Sequence, residues 1–195
     1  MDKPFIYLIG GPNGAGKTTT AFSIMPELID CYEYVNADAI AAALSPFRPQ
    51  EVARDAGRVM LQRIKALASQ RVDFAFETTM ASRSLAPFLA DCRNEGHSVC
   101  IIYIWLRSAE LAVARVKQRV ESGGHSVPEL DICRRYHRSL NNLFNLYLPL
   151  ADYWRFYDNS FKKPSLVAEK STTGSVKILH PTLWDTAQSE STLDR

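Results

Sequence analysis

The sequence predicts an α/β fold in which helices flank a parallel sheet, and two observations support that prediction. Apolar runs with strand character alternate along the chain with segments in which apolar residues recur every three to four positions, the helical period. The run at 98–106, Ser-Val-Cys-Ile-Ile-Tyr-Ile-Trp-Leu, is the most hydrophobic of the strand candidates. Such a run is typical of a central parallel strand that is buried on both faces.

The remaining helices and strands are predicted from helix-breaking residues and from the spacing of apolar residues. The segment Ser-Pro-Phe-Arg-Pro at 45–49 interrupts the chain, Gly96 closes a helix, and Pro128 opens another. Helical spacing is clearest at Val52, Ala56, Val59, Met60, Ile64 and Leu67. Further strands are expected at 4–9, 34–36, 72–76 and 154–157, and helices at about 16–26, 39–44, 50–70, 85–94, 110–122 and 128–148.

The end of the chain predicts a hairpin and a tail. The runs 165–171 and 175–179 flank Thr-Thr-Gly, a turn signal. No linker or repeat divides the chain, so a single domain over 1–185 is expected, followed by a flexible polar tail at 186–195.

Composition narrows the class of protein. A chain of 195 residues with 46% hydrophobic residues can form one globular core, and a net charge of +2 gives no sign of nucleic acid as a general partner. The four scattered cysteines lack metal-site spacing. The first residues do not resemble a signal peptide, and no run approaches the roughly 20 apolar residues of a membrane helix. The expected compartment is therefore the cytoplasm, with no membrane partner.

A glycine-rich motif directly follows the first strand. Residues 11–18 fit G-x-x-x-x-G-K-[ST], the P-loop pattern, whose backbone N–H groups and following helix cradle phosphates. In this pattern Lys17 reaches the β- and γ-phosphates of a nucleoside triphosphate, and the Thr18 hydroxyl binds Mg²⁺. The predicted nucleotide-binding residues are Gly11, Pro12, Asn13, Gly14, Ala15, Gly16, Lys17, Thr18 and Thr19.

Asp38 follows the second predicted strand. Strand C-termini of an open parallel sheet meet at the ligand crevice, so Asp38 is a candidate base for an attacking hydroxyl. The alternative is that Asp38 caps a helix beginning at Ala39.

Glu77 ends the third strand in the same way. This acid can bind a sugar or ribose hydroxyl or orient Mg²⁺ through water, and Thr78 and Thr79 extend the candidate acceptor-binding segment. The alternative is that Glu77 caps the next helix.

Arginines cluster between 107 and 138. Arg115 and Arg119 share a helical face, Gly123-Gly124-His125 can act as a hinge, and Arg134 and Arg135 follow on the next helix. Guanidinium groups on a closing lid would stabilise a phosphoryl-transfer transition state, which makes Arg119 and one of Arg134 and Arg135 candidate phosphate contacts. The alternative is that these arginines are solvated helix residues.

These features favour a small-molecule kinase among P-loop proteins. The guanine-reading N-K-x-D pattern is absent, and no strand ends in the adjacent Asp-Glu of a motor ATPase. Other phosphotransferases, acting on a nucleotide, an antibiotic or a nucleic-acid hydroxyl, remain alternatives. So does a nucleotide-dependent switch ATPase, although a switch has no need of an acceptor site.

The motifs together resemble those of a known family. The segments at 11–19, Val-Asn-Ala-Asp-Ala-Ile-Ala at 35–41 and Phe-Glu-Thr-Thr at 76–79 resemble the zeta-toxin-like P-loop kinases, in particular short, single-domain bacterial members. The segments at 115–120, 123–125, 134–136 and 157–160 extend the resemblance, which covers about residues 4–185.

The resemblance implies phosphorylation of a hydroxyl with ATP and Mg²⁺, in the toxins that of a UDP-N-acetyl amino sugar. By position, Lys17 would hold the phosphates, Asp38 would be the base and Glu77 would contact the sugar nucleotide. Arg119 and Arg134 or Arg135 would meet the ATP phosphates, and an antitoxin-like protein is a candidate partner. The family's toxins are usually longer, and their segment after the third strand differs from Glu77-Thr78-Thr79.

Overall fold

The structure is a computed structural model that describes residues 3–28, 31–124 and 126–192. Within these residues, seven strands form one sheet in the order β2-β3-β1-β4-β5-β6-β7. The strands are β1 (Phe5–Gly10), β2 (Tyr34–Val35), β3 (Phe74–Thr78), β4 (Ser98–Trp105), β5 (Tyr153–Asp158), β6 (Ser165–Lys170) and β7 (Val176–Ile178). Strands β1 to β5 are parallel, whereas β6 and β7 are antiparallel to their neighbours.

Helices connect the parallel strands. They are α1 (Lys17–Leu28), α2 (Ala37–Leu44), α3 (Ala53–Gln70), α4 (Leu85–Asn94), α5 (Ala109–Glu121), α6 (Glu129–Asn142), α7 (Leu148–Leu150) and α8 (Pro181–Ser191). A 3₁₀ turn, Pro49–Val52, precedes α3, and a π-helical turn, Leu143–Tyr147, joins α6 to α7. The predicted parallel α/β fold is confirmed.

The core lies against the sheet. Side chains of β1, β3 and β4 such as Leu8, Phe76 and Ile101 are fully buried and pack with the apolar faces of the flanking helices. A smaller cluster joins Ile9 of β1 and Ala75 of β3 to Ala21 of α1. No helix in the described part of the chain is both long enough and apolar enough to span a membrane.

The C-terminal segment corrects one expectation. Residues 186–191, expected in a flexible tail, belong to α8, whose Ala187 is buried. The helix is held because Trp184 stacks on Trp154 of β5, with ring centroids 5.4 Å apart and planes 3° from parallel. Residues 193–195 of the expected tail lie outside the described residues.

A buried polar network joins α8 to α6. The hydroxyl oxygen of Tyr136 receives a hydrogen bond from Trp105 Nε1 (3.1 Å) and lies 2.7 Å from the carbonyl oxygen of Leu106 and 2.6 Å from Glu190 Oε2. The Tyr136 hydroxyl donates to both of these oxygens, so its single proton is shared between them. Partial burial raises the pKa of Glu190, and Glu110 adds to that effect, whereas Tyr136, His137 and Trp105 oppose it.

This network predicts a pH-dependent stability difference between the wild-type protein and a Glu190→Gln variant. A raised folded-state pKa stabilises the fold at pH values below about 4.5, the ordinary glutamic acid pKa. That stability is lost as the pH rises through the folded-state pKa. In Glu190→Gln the amide oxygen can still accept the hydrogen bond from Tyr136, but the side chain does not ionise. Denaturant unfolding should therefore show the variant gaining stability relative to wild type as the pH rises from 4.5 to 8. A difference that is independent of pH would contradict a raised pKa of Glu190 in the fold.

Candidate active site

The P-loop follows β1, and Asn159, the residue after β5, holds it in place. Gly16 has a left-handed φ of +81°, and a Cβ there would lie 2.9 Å from Asn159 Nδ2. The same Asn159 amide donates a hydrogen bond to the carbonyl oxygen of Ala15 at 2.8 Å. Glycine at this position therefore permits both the backbone turn and the close approach of the Asn159 side chain.

Lys17 is buried at the base of the loop. Its Nζ donates to the carbonyl oxygen of Pro12 (3.0 Å) and lies 3.9 Å from Glu77 Oε1. Burial lowers the pKa of Lys17, while the negative charges of Glu77 and Asp38 oppose that shift. A buried cation of this kind gains from a polyphosphate, because phosphate oxygens replace the hydration that the ammonium group has lost.

Glu77 lies at the end of β3 beside the P-loop. Its Oε2 accepts hydrogen bonds from the Thr18 hydroxyl (2.8 Å), the Tyr34 hydroxyl (2.6 Å) and Asn36 Nδ2 (3.1 Å). Burial, and then the bond to Glu77, raise the pKa of Tyr34, so this hydroxyl stays a donor. With one oxygen held by three donors and the other facing Lys17, Glu77 does not cap a helix, and its contacts tie it to the phosphate-binding loop.

The Thr18–Glu77 pair fits a magnesium ion. Mg²⁺ prefers oxygen ligands and keeps several waters, so it needs only one or two protein ligands besides substrate phosphates. The Thr18 hydroxyl can bind the ion directly, and Glu77 can orient one of its waters. Within the described residues, no group of three or more His, Cys, Asp or Glu side chains is arranged for a metal.

Asp38 lies in the first turn of α2 and is exposed. The helix begins at Ala37, two residues earlier than expected, because Asn36 is its cap: Asn36 Oδ1 accepts from the backbone N–H groups of Asp38 (2.8 Å) and Ala39 (3.2 Å). The alternative role of Asp38 as the helix cap is therefore wrong. The Asn36 side chain thus joins two candidate site residues: its amide nitrogen donates to Glu77, and its amide oxygen accepts from the backbone N–H of Asp38.

These residues meet in a cleft with a volume of about 990 Å³. This volume is at the upper end of the range for small-molecule sites, roughly 300–1,000 Å³. Gly11, Pro12, Ala15 and Arg134 are the predicted site residues that do not line it. The predicted residues that line it are Asn13, Gly14, Gly16, Lys17, Thr18, Thr19, Asp38, Glu77, Thr78, Thr79, Arg119 and Arg135.

The threonines after Glu77 shape the wall of the cleft. Thr78 Oγ1 accepts from the backbone N–H of Met80 at 3.1 Å. Met80 itself has a left-handed φ of 57° and is buried. Asn142 Nδ2, from the end of α6, donates to the carbonyl oxygen of Met80 at 2.9 Å and holds this turn in place.

The structure distinguishes the two neighbouring arginines of α6. Arg135 lines the cleft together with Arg115 and Arg119 of α5. Arg134 points elsewhere: its Nη2 pairs with Asp131 Oδ1 at 2.6 Å, one turn earlier on the same exposed side of the helix. The phosphate-contact role thus remains a prediction for Arg119 and Arg135, while the position of Arg134 gives it no support.

The glycine pair of the expected hinge terminates α5. The N–H groups of Gly123 and Gly124 donate to the carbonyl oxygens of Val120 and Arg119, at 2.9 Å each, and Gly123 has a left-handed φ of +87°. A glycine C-terminal cap explains both residues without hinge motion. His125, the third residue of the expected hinge, lies outside the described residues.

Several residues of the site were not predicted. Tyr34 and Asn36 bind Glu77, Asn159 holds the P-loop, and Arg54 and Arg58 of α3 line the cleft. For Asn36 a usable signal was present, since asparagine before a helical run is a favoured cap.

The family of the chain is shown by its similarity to known proteins. The Zeta toxin family model matches residues 1–145. The chain belongs to the zeta toxin family. An uncharacterized protein of Haemophilus influenzae is 30% identical over 126 residues, which is 65% of this chain and 88% of the relative.

Solved structures share the fold of this zeta toxin family protein. The AvrRxo1-ORF1:AvrRxo1-ORF2 complex with sulphate ions matches with a TM-score of 0.81 and 16% identity over 99% of this chain. The match covers 66% of that chain, so this protein spans slightly less than two thirds of its length. The toxin-antitoxin system PezAT of Streptococcus pneumoniae matches with a TM-score of 0.68 and 18% identity, over 95% of this chain and 78% of that chain.

Proposed function

We propose that this zeta toxin family protein is an ATP- and Mg²⁺-dependent kinase that transfers the γ-phosphate to a hydroxyl of a small-molecule acceptor. The observation that carries the proposal is one cleft that holds both the P-loop side chains Lys17 and Thr18 and the exposed carboxylate of Asp38. Phosphoryl transfer needs a phosphate cradle and a group that orients the attacking oxygen, and both line the same space.

The side chains that line the cleft have different roles in the proposed phosphoryl transfer. Lys17 and the backbone N–H groups of the P-loop bind the β- and γ-phosphates. Arg119 of α5 and Arg135 of α6 stabilise the charge that spreads over the transferred group. Asp38 accepts the proton of the acceptor hydroxyl and holds its oxygen in line with the γ-phosphorus.

Magnesium would be held by the Thr18 hydroxyl, with Glu77 orienting its water shell. When bound, the ion neutralises charge on the phosphate oxygens. Tyr34 and Asn36 keep Glu77 in place through the hydrogen bonds described above. Support for ATP as the phosphate donor comes from the related fold of AvrRxo1-ORF1:-ORF2 with ATP, which has a TM-score of 0.80 and 16% identity.

For the acceptor, we propose a UDP-N-acetyl amino sugar as the first candidate, which follows from family membership. A nucleotide, an antibiotic or a nucleic-acid hydroxyl is the alternative for the same chemistry. An antitoxin-like protein is a candidate partner, because the PezAT match is a toxin-antitoxin system. A nucleotide-dependent switch receives less support, since a switch needs no Asp38 at an acceptor site.

The test is a transfer assay. Purified protein is incubated with labelled ATP, Mg²⁺ and either UDP-N-acetylglucosamine or a metabolite extract, and new phosphorylated species are identified by mass spectrometry. A labelled acceptor is expected in at least one of the two mixtures. ATP hydrolysis without any phosphorylated acceptor would instead favour the switch.

The same assay distinguishes the two neighbouring arginines. Arg135→Ala is expected to lower the rate of transfer by about 10²-fold or more, because a guanidinium group in the cleft can stabilise the charge of the transition state. Arg134→Ala is the matched control on the adjacent position and should retain wild-type turnover. Equal losses in the two variants would contradict the assignment of Arg135.

A further inference from the structure

The β3–α4 segment, residues 79–84, forms part of the cleft wall and has no regular secondary structure. Thr79 and Ser84, its first and last residues, both line the cleft. Between them, Met80 has a left-handed φ of 57°, a conformation that is disfavoured for a residue with a Cβ. Surrounding contacts must therefore hold the backbone of the segment in this shape.

Both backbone groups of Met80 are bound by side chains. Its N–H donates to Thr78 Oγ1 at 3.1 Å, and its carbonyl oxygen accepts from Asn142 Nδ2 at 2.9 Å. The Met80 side chain is fully buried and lies against Gly10, the last residue of β1, where a Cβ would collide with the methionine sulfur. The β3–α4 segment is thus packed against the strand that leads into the P-loop.

A second donor holds the β3–α4 segment two residues further on. The hydroxyl of Tyr147 donates to the carbonyl oxygen of Ser82 at 2.6 Å. Tyr147 is fully buried, and burial raises its pKa to about 12, so the hydroxyl stays protonated at neutral pH and remains a donor. Asn142 and Tyr147 thus bind two carbonyl groups of one segment.

The π-helical turn brings these two donors together. Residues five apart in an α-helix lie about 140° apart around the axis, so an α-helical continuation of α6 would point one donor away from the segment. In the π-turn, hydrogen bonds close over five residues, as from the Leu148 N–H to the Leu143 carbonyl oxygen. This winding brings Asn142 and Tyr147 nearly into line, so both reach the β3–α4 segment.

We propose that Asn142 and Tyr147 are positioning residues for the acceptor. Through the π-turn they hold the β3–α4 segment in the shape that forms the acceptor wall of the cleft, next to Glu77. Neither is among the described residues that line the cleft, and each acts through a carbonyl group of the segment. This inference rests on the proposed kinase function and assigns residues that set the geometry of its acceptor half.

The position of this wall affects the rate because the acceptor oxygen must lie close to the γ-phosphorus and in line with it. A misplacement of about 1 Å in such a geometry can lower the rate by about 10²-fold. The nucleotide side is held by other contacts, from Asn36 to Glu77 and from Asn159 to the P-loop. A loosened β3–α4 segment should therefore impair use of the acceptor and leave ATP affinity unchanged.

Hydrogen exchange tests whether the two donors hold the segment. In protein saturated with Mg²⁺ and a non-hydrolysable ATP analogue, amides of 79–84 should exchange about tenfold faster in Tyr147→Phe and in Asn142→Ala than in the wild type. Tyr103→Phe is the matched control, because it removes an equally buried hydroxyl that bonds Ser139 of α6 at 2.7 Å. It should leave exchange in 79–84 unchanged. Equal exchange in Tyr147→Phe and Tyr103→Phe would overturn the inference.

Transfer kinetics test whether the segment serves the acceptor. The probe is UDP-N-acetylglucosamine or the acceptor that the metabolite extract yields. Tyr147→Phe should lower kcat/KM for this acceptor by about tenfold or more, while the calorimetric Kd for Mg²⁺-ATP changes by less than about twofold. Tyr103→Phe should keep wild-type values of both, even where its Tm falls as far.

The outcomes separate the inference from the proposed function. Faster exchange in 79–84 with an unchanged kcat/KM for the acceptor would overturn the positioning role of Asn142 and Tyr147. A wild-type protein that phosphorylates no acceptor would instead overturn the proposed kinase function. The exchange comparison would then still decide whether the two donors order the β3–α4 segment.

Discussion

Asp38→Asn is expected to lower the rate of phosphoryl transfer by about 10²–10⁴-fold while leaving the affinity for ATP unchanged. The amide keeps the size of the carboxylate but cannot accept the proton of an attacking hydroxyl. The fold should survive, because Asp38 is exposed and the cap of α2 belongs to Asn36. Single-turnover transfer and ATP binding, measured on the same preparation, test the two halves of this expectation.

Asp38→Ala is a useful companion variant. It removes the side chain in a helix where alanine is favourable, so a loss of turnover in both variants with unchanged Tm would locate the defect in chemistry. Wild-type turnover in Asp38→Asn would refute the assignment of the base. Loss of ATP binding together with turnover would place Asp38 on the phosphate-donor side of the cleft.

Lys17→Ala is the second change with a large expected effect, a loss of about 10²–10³-fold in transfer together with weakened ATP binding. The buried ammonium group touches the loop carbonyl of Pro12 and faces Glu77. Removing it deletes a phosphate contact and leaves the Glu77 carboxylate without its nearest cation. Both effects oppose the entry of an anionic phosphate chain.

A double variant measures how much of this loss is electrostatic. In Lys17→Ala/Glu77→Gln the uncompensated carboxylate is also neutralised, so ATP affinity should recover in part, whereas transfer should not. If Glu77→Gln does nothing to the ATP affinity of Lys17→Ala, the repulsion from Glu77 is negligible, and the lost phosphate contact accounts for the whole effect. Calorimetric Kd values for ATP without Mg²⁺ in the four proteins give the comparison, because Glu77 also has a proposed role in orienting the water shell of Mg²⁺.

The succession of strands and helices and the P-loop could be predicted because they depend on local patterns. The apolar run of β4 and the helical period of α3 follow directly from residue spacing. Boundaries were less accurate: α2 begins earlier because Asn36 is its cap, and the helix expected over 128–148 contains a π-helical turn. A π-turn depends on how the tertiary structure packs and has no reliable signal in sequence.

Most of the predicted site residues line one cleft, but the sequence did not indicate the residues of α3 that line it too. Arg54 and Arg58 carry the pattern of solvated helix residues, and only the sheet order places their helix beside the cleft. The polar end of the chain predicts a flexible tail, yet α8 packs through Trp184 and the Glu190–Tyr136 contact. Long-range contacts of this kind join residues far apart in sequence, which local periodicity does not report.

The hydrogen bond from Asn159 to Ala15 spans 144 residues, and it has a consequence for the order of events during synthesis. Because Asn159 follows Ala15 by 144 residues, the phosphate loop leaves the ribosome well before the residue that supports it. A nascent chain that ends at residue 145, where the family match ends, would hold every cationic side chain of the cleft and lack the clamp on the loop. The loop would thus gain this support only once β5 has paired with β4.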